Sequence, residues 1–220
     1  FVEDEMGASG AVRRVATVFL TNRECPFHCL MCDLWQHTLE ATVPAGAIAR
    51  QIDVALAALP AAPVIKLYNS GSFFDHRAIP PGDYAEIAGR LQGFRRVIVE
   101  CHPSFIGPDV ERFRDLLHGE LEVAMGLETA HPEVLAQLNK RMTLESYSRA
   151  AGQLHAMGVA SRAFVLVQSA LATTPARPTV TRARSSSTKR STGMRTCCIE
   201  SRSRTVTVSF CMVSWSTVRL

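Results

Sequence analysis

Between Val12 and Val167 this 220-residue chain alternates short apolar runs with stretches of helical periodicity, about five times over. Few folds accept that alternation. It predicts strands at 12–21, 64–68, 95–101, 121–127 and 159–167. It predicts helices at 44–59, 81–91, 109–117, 132–138 and 144–157. Pro44 stands at the start of the first helix, which has Ile48, Ile52, Leu56 and Leu59 on one face. Strand and helix in strict turn imply a parallel sheet with right-handed crossovers. Runs such as Val97-Ile-Val99 are apolar on both faces, as in strands covered by helices. The fold class expected is α/β, either an open doubly wound sheet or a closed or partial barrel. Both place ligands at the C-terminal strand ends. No GxGxxG follows the first strand, so a dinucleotide site is not expected.

After Ser169 the pattern stops. Residues 169–220 hold 20 Ser and Thr, nine Lys and Arg and a single acidic residue, a net charge of +8. The preceding 168 residues carry −4, so the overall +4 belongs to the tail and does not mark the body as nucleic-acid binding. Three readings of the tail compete. They are a basic disordered arm, a small β segment where 205–215 partly alternates, and out-of-frame translation. The abruptness of the change, at a strand end, favours the last. The chain therefore divides into a core domain, 1–168, and a basic Ser/Thr/Arg-rich tail, 169–220. The 47% hydrophobic and 20% charged composition excludes collagen, wholesale disorder and a membrane bundle. No apolar run reaches the roughly 18 residues of a spanning helix, and no signal peptide is evident. A start at Phe1 suggests a fragment or a processed chain.

Three of the seven cysteines fall within eight residues, Cys25-Pro-Phe-His-Cys29-Leu-Met-Cys32, in the loop after the first predicted strand. Thiolates at CxxxCxxC can converge on one soft-metal centre. Structural zinc ordinarily takes four ligands, and His28 is awkwardly placed to be the fourth. Three thiolates and an open position suit a [4Fe–4S] cluster with one free iron. Cys101, alone on a predicted buried strand, reads as a core cysteine. His28, His37 and His102 read as ordinary loop or strand-end histidines.

A CxxxCxxC loop opening a βα series resembles the radical S-adenosylmethionine superfamily. Gly126-Leu-Glu-Thr129, the run His131 to Arg141 and Gly158 after a helix are similar to its elongator-type and methylthiotransferase-like branch. The resemblance covers residues 12–168. It implies a partial (β/α) TIM-like barrel, truncated after about five strands. It also implies an enzyme that uses a [4Fe–4S] cluster and S-adenosylmethionine to make a 5′-deoxyadenosyl radical. Cys25, Cys29 and Cys32 match the cluster ligands. Met31 stands where the family usually has an aromatic residue against the adenine. Gly71 and Ser72 fall in the turn that binds the cofactor's amino group, although the family's acidic residue is missing from Asn69-Ser-Gly-Ser72. Glu100 is matched to the cofactor's ribose or methionyl part, Glu128 to cofactor or substrate, and Arg162 to the cofactor carboxylate. No catalytic side chain is assigned. An external one-electron donor, a small-molecule or RNA substrate, a cytoplasmic location and no membrane are implied. With its last wall degenerate, the chain is expected to be a poor or inactive enzyme as it stands. Two other classes remain open, a zinc-binding interaction module and an RNA-binding protein with a basic C-terminal arm.

Overall fold

The computed structural model describes residues 1–7, 10–166, 196–198 and 207–211, the last two as backbone only. The first strand, β1 (Val2–Met6), runs antiparallel to β2 (Val12–Phe19), with Val2 opposite Ala16 and Met6 opposite Val12. From β2 the sheet continues in parallel and in chain order through β3 (Val64–Tyr68), β4 (Arg96–Glu100), β5 (Glu120–Glu128) and β6 (Ala160–Val165). The crossovers hold α1 (Ala47–Ala58), α2 (Tyr84–Arg90), α3 (Pro108–Asp115), and the pair α4 (Pro132–Gln137) and α5 (Leu144–Ala156). Two tail segments complete the sheet. β7 (Thr196–Cys198) lies antiparallel to β8 (Thr207–Cys211), and β8 runs parallel to β6. The result is a mixed α/β half-barrel, curled as the partial-barrel expectation requires.

All five expected strands form. β1 was not foreseen, because Val2-Glu-Asp-Glu-Met6 carries three acidic residues in five. The edge of β6 was expected to be open or improvised, and β8 pairs with it there. The disordered and out-of-frame readings of 169–220 fall on residues that mostly lie outside the described ones.

The convex face carries the main core. Ile65, Leu67, Val97, Val99, Val123 and Met125 pack under Ile48 and Ile52 of α1, Ile87 of α2, Val110 and Phe113 of α3, and Leu154 of α5. The concave face departs from the expectation of strands apolar on both sides. Val15, Val64, Ile98 and Ala124 alternate there with buried Lys66, Glu122 and Arg162. Charges survive burial only when paired. Lys66 is salt-bridged to Glu5, Arg162 Nε donates to Glu122 at 2.5 Å, and Arg162 also lies 3.5 Å from Glu5. Glu5 comes from β1, so the unforeseen strand supplies the anions that make a charged interior tolerable.

α5 starts at a reciprocal cap, in which the Thr143 hydroxyl accepts from the Ser146 N–H and the Ser146 hydroxyl from the Thr143 N–H. No described helix is long and apolar enough to cross a membrane.

Candidate functional site

The loop 22–43 rises from the C-terminal end of β2. Its base is pinned twice. The Leu20 N–H donates to the Tyr68 carbonyl at 2.7 Å, joining it to β3. The Asn22 carbonyl accepts from Leu39 and the Leu39 carbonyl from Glu24, both at 2.8 Å, closing the loop into a lariat. Inside it the Cys32 N–H donates to the Cys29 carbonyl at 2.9 Å, a turn that sets the CxxC spacing. Trp35 donates from Nε1 to the Cys32 carbonyl at 3.1 Å and stacks on His28 at 5.0 Å. His28 needs that support, because its φ is +46°, a region that costs a side-chain-bearing residue energy.

Cys25, Cys29 and Cys32 are free thiols, each half-buried. Burial pushes the Cys25 thiol up to about 11, and the neighbouring Cys29, Cys32 and Glu100 push in the same direction. Cys29 is also raised by burial, against the pull of the Lys140 ammonium. The thiols are thus within electrostatic reach of one another. Even so, no three His, Cys, Asp or Glu side chains among the described residues stand close enough together to hold a metal ion. The fit to a cluster therefore rests on the donor set, three soft sulfurs, rather than on a finished cage. Cys101 is buried in the core and is raised by that burial to about 12, as expected of an inert cysteine.

The other expected residues divide into groups. Gly71 lies against Cys25, and a Cβ placed on it would stand 3.6 Å from the Cys25 Cβ. Glu100, at the end of β4, binds the same turn. Its Oε1 accepts from the Asn69 N–H at 2.5 Å and the Gly71 N–H at 3.4 Å. Loss of water around this carboxyl pushes its pKa up to about 7, although the backbone donors oppose the shift. The Ser72 hydroxyl is buried and accepts from the His102 N–H at 2.9 Å. Met31 lies with Cys29, Cys32 and Trp35 around an open hollow of about 490 Å³. Glu128, held at φ +66°, is buried and paired at 2.5 Å with Lys140. Gly126 leaves the room for that pair, because a Cβ there would collide with both charged groups. Arg162 is engaged with Glu122 and Glu5 in the barrel interior.

Two residues at the site had no role assigned from the sequence. Asn69 is fully buried, and neither polar atom of its side-chain amide has a hydrogen-bond partner among the described residues. Its signal was its place directly after a β strand, in a turn otherwise made of Ser and Gly. Lys140 is buried beside Cys29, where it balances the site's carboxylates. Its signal was a polar triplet, Asn139 to Arg141, between two helices. His102 also matters more than a strand-end histidine would. Burial lowers its pKa to about 4, so the ring is neutral. Nδ1 accepts from the Ser104 N–H at 3.2 Å, which leaves Nε2 to donate to the Lys140 carbonyl at 2.9 Å.

No family model matches the chain. An uncharacterized protein of Methanocaldococcus jannaschii, MJ0550, is 24% identical over 183 residues, which are 76% of this chain and 50% of that protein. The chain thus spans about half the length of this curated relative. Among solved structures, the radical S-adenosylmethionine methyltransferase TsrM from Kitasatospora setae, with cobalamin and a [4Fe–4S] cluster bound, superposes with a TM-score of 0.52 at 16% identity. The match covers 69% of this chain and 31% of that one. The cobalamin-dependent S-adenosylmethionine radical enzyme OxsB gives a TM-score of 0.49 at 15% identity over 74% of this chain and 29% of its own. The likeness to TsrM shows that the half-barrel is shared.

Proposed function

We propose that this chain is the cofactor-binding part of a radical S-adenosylmethionine enzyme, with Cys25, Cys29 and Cys32 as the ligands of a [4Fe–4S] cluster. One observation carries the reading. The CxxxCxxC loop leaves the first parallel strand of a half-barrel shared with TsrM, and it lies against a turn that holds a buried amide with no partner among the described residues. An unsatisfied buried amide is costly, and a polar ligand would remove the cost. When bound, the cluster would supply the electron that splits the sulfonium of S-adenosylmethionine and releases a 5′-deoxyadenosyl radical.

The protein's own part is binding, orientation and exclusion of water. In this reading the turn 69–72 takes the amino acid end of S-adenosylmethionine, with the Asn69 amide in place of the missing acidic side chain. Gly71 keeps the backbone low beside Cys25. Glu100 fixes the turn and, with a pKa near neutrality, accepts or releases a proton at little cost. Met31 and the hollow beside it face the adenine. Glu128 and Lys140 form a neutral pair whose charges can reorient toward cofactor or substrate. Arg162 is held by Glu122 and Glu5, and the cofactor carboxylate would share it with them. An external one-electron donor, a cytoplasmic setting and a small-molecule or RNA substrate belong to the same proposal, and no branch of the superfamily is assigned.

The test is anaerobic reconstitution with iron and sulfide, then incubation with S-adenosylmethionine and dithionite. Slow release of 5′-deoxyadenosine, in keeping with the degenerate last wall, is expected, and it should disappear in Cys25→Ala, Cys29→Ala and Cys32→Ala. A reconstituted protein that leaves S-adenosylmethionine intact would refute the activity.

A further inference from the structure

We propose that His102 and the loop 138–140 form a preset brace that holds the cysteine loop on the strand ends, with His102 and Asn139 as positioning residues. The contacts come from three separate parts of the chain. The Phe27 ring, between the first two cysteines, stacks on the His102 imidazole with centroids 3.8 Å apart and 23° between planes. Phe105 stands edge-on to both rings, at 5.9 and 6.5 Å. His102 in turn donates from Nε2 to the Lys140 carbonyl at 2.9 Å. The loop 138–140 then grips the cysteine loop directly. The Leu30 N–H donates to the Leu138 carbonyl at 3.0 Å. The Asn139 side-chain amide donates to the carbonyls of Phe27 at 3.4 Å and His28 at 3.5 Å.

The brace has a physical purpose. An unbraced loop would have to be ordered at the moment a ligand binds, at a conformational cost set against the affinity. With the backbone of 27–30 held from two sides, the middle of the cysteine loop is ordered before a ligand arrives. Asn139 suits its task because its backbone sits at φ +54°, which asparagine tolerates better than most residues, and this turns its amide toward the loop. The ring stack supports Phe27 from the barrel side, and the amide supports it from the helix side.

Naming the thiols as cluster ligands rests on the function proposed above, whereas the brace stands on the contacts alone. The test uses four variants of the whole chain. Phe27→Leu removes the ring and Phe27→Tyr restores it. Asn139→Gly removes the amide and keeps the positive φ. His102→Phe keeps a ring and loses the donor. In metal-free protein, the rate at which a small maleimide labels each cysteine is read by mass spectrometry, with buried Cys101 as the gauge of general opening. In reconstituted protein, loss of iron to a chelator and the electron paramagnetic resonance line shape are read. Phe27→Leu and Asn139→Gly should label Cys25, Cys29 and Cys32 about fivefold faster, the scale of one lost hydrogen bond or packing contact. Cys101 should be unchanged, and Phe27→Tyr should behave as the parent. His102→Phe should fall between. Iron should be lost faster in the same order, with an altered line shape. Parent-like labelling in Phe27→Leu, or a matching rise at Cys101, overturns the brace. If the parent takes up no cluster, the function proposed above fails, and the labelling rates still decide the brace.

Discussion

At the residue scale, Glu100, the last residue of β4, and His102, two positions further on, titrate in opposite senses. Glu100 is raised from its ordinary value of 4.5 to about 7 by desolvation, so the folded chain keeps its proton where the unfolded chain has lost it. Its contribution to stability is complete below pH 4.5 and is lost as pH rises through about 7. His102 is lowered from 6.5 to about 4 by burial, so its contribution is present above 6.5 and is lost as pH falls through about 4. Between pH 4.5 and 6.5 the two trends oppose each other. Relative to the parent, Glu100→Gln should become more stable as pH rises across that window, and His102→Phe less stable. Urea unfolding at several pH values measures both slopes, and parallel curves for parent and variants would contradict the assignment. Glu100 was legible in the sequence as a strand-end carboxylate. The role of His102 was not, because it depends on a ring from a loop more than 70 positions away and on a carbonyl 38 positions away.

At the scale of elements, the parallel strands could be read because each is a short apolar run between turn signals, and their order followed from right-handed crossovers. Close approaches between elements could not be read. Gly119, on the short link from α3 to β5, meets the backbone of Phe94 and Arg95 where the chain enters β4, and an added Cβ would collide with rigid carbonyl atoms. Gly119→Ala should therefore cost about 2–4 kcal/mol, since neither backbone can yield without disturbing a central strand. Thermal unfolding checks this, and a loss below about 1 kcal/mol would mean that the link relaxes freely. Gly126 differs, because the groups that a Cβ would meet are the flexible ends of Lys140 and Glu128. Helix α5 was legible to within a residue or two, and its start rests on Thr143 and Ser146 rather than on a Glu or Gln at the third position.

At the scale of the whole molecule, the two sides of the half-barrel are tied by charge. Glu5 on β1 meets Lys66 on β3 and Arg162 on β6, so the first strand reaches across the concave face. Glu3 also lies 3.4 Å from Lys66, and Glu122 lies 3.1 Å from Arg96, which spreads the compensation. Removing one partner should leave a buried charge short of its counterion. Glu5→Gln and Lys66→Met should each cost about 2–3 kcal/mol, and the double variant should cost less than their sum by 1 kcal/mol or more. Strict additivity in denaturant unfolding would show that the two groups act independently. Alternation alone could not place charges inside the curl, because Lys66 and Arg162 look like any polar interruption of a strand. Acidic β1 was missed for the same reason, since its glutamates are stabilised by partners far along the chain.

If Cys25, Cys29 and Cys32 together hold an iron–sulfur cluster, metal analysis after anaerobic reconstitution reads it out. The parent chain should turn brown and hold about four irons per chain. Each single Cys→Ala change in the motif should abolish the colour, and Cys101→Ala should keep it. A colourless protein with one tightly held zinc, or a motif variant that retains its full iron and colour, would contradict cluster binding by these cysteines.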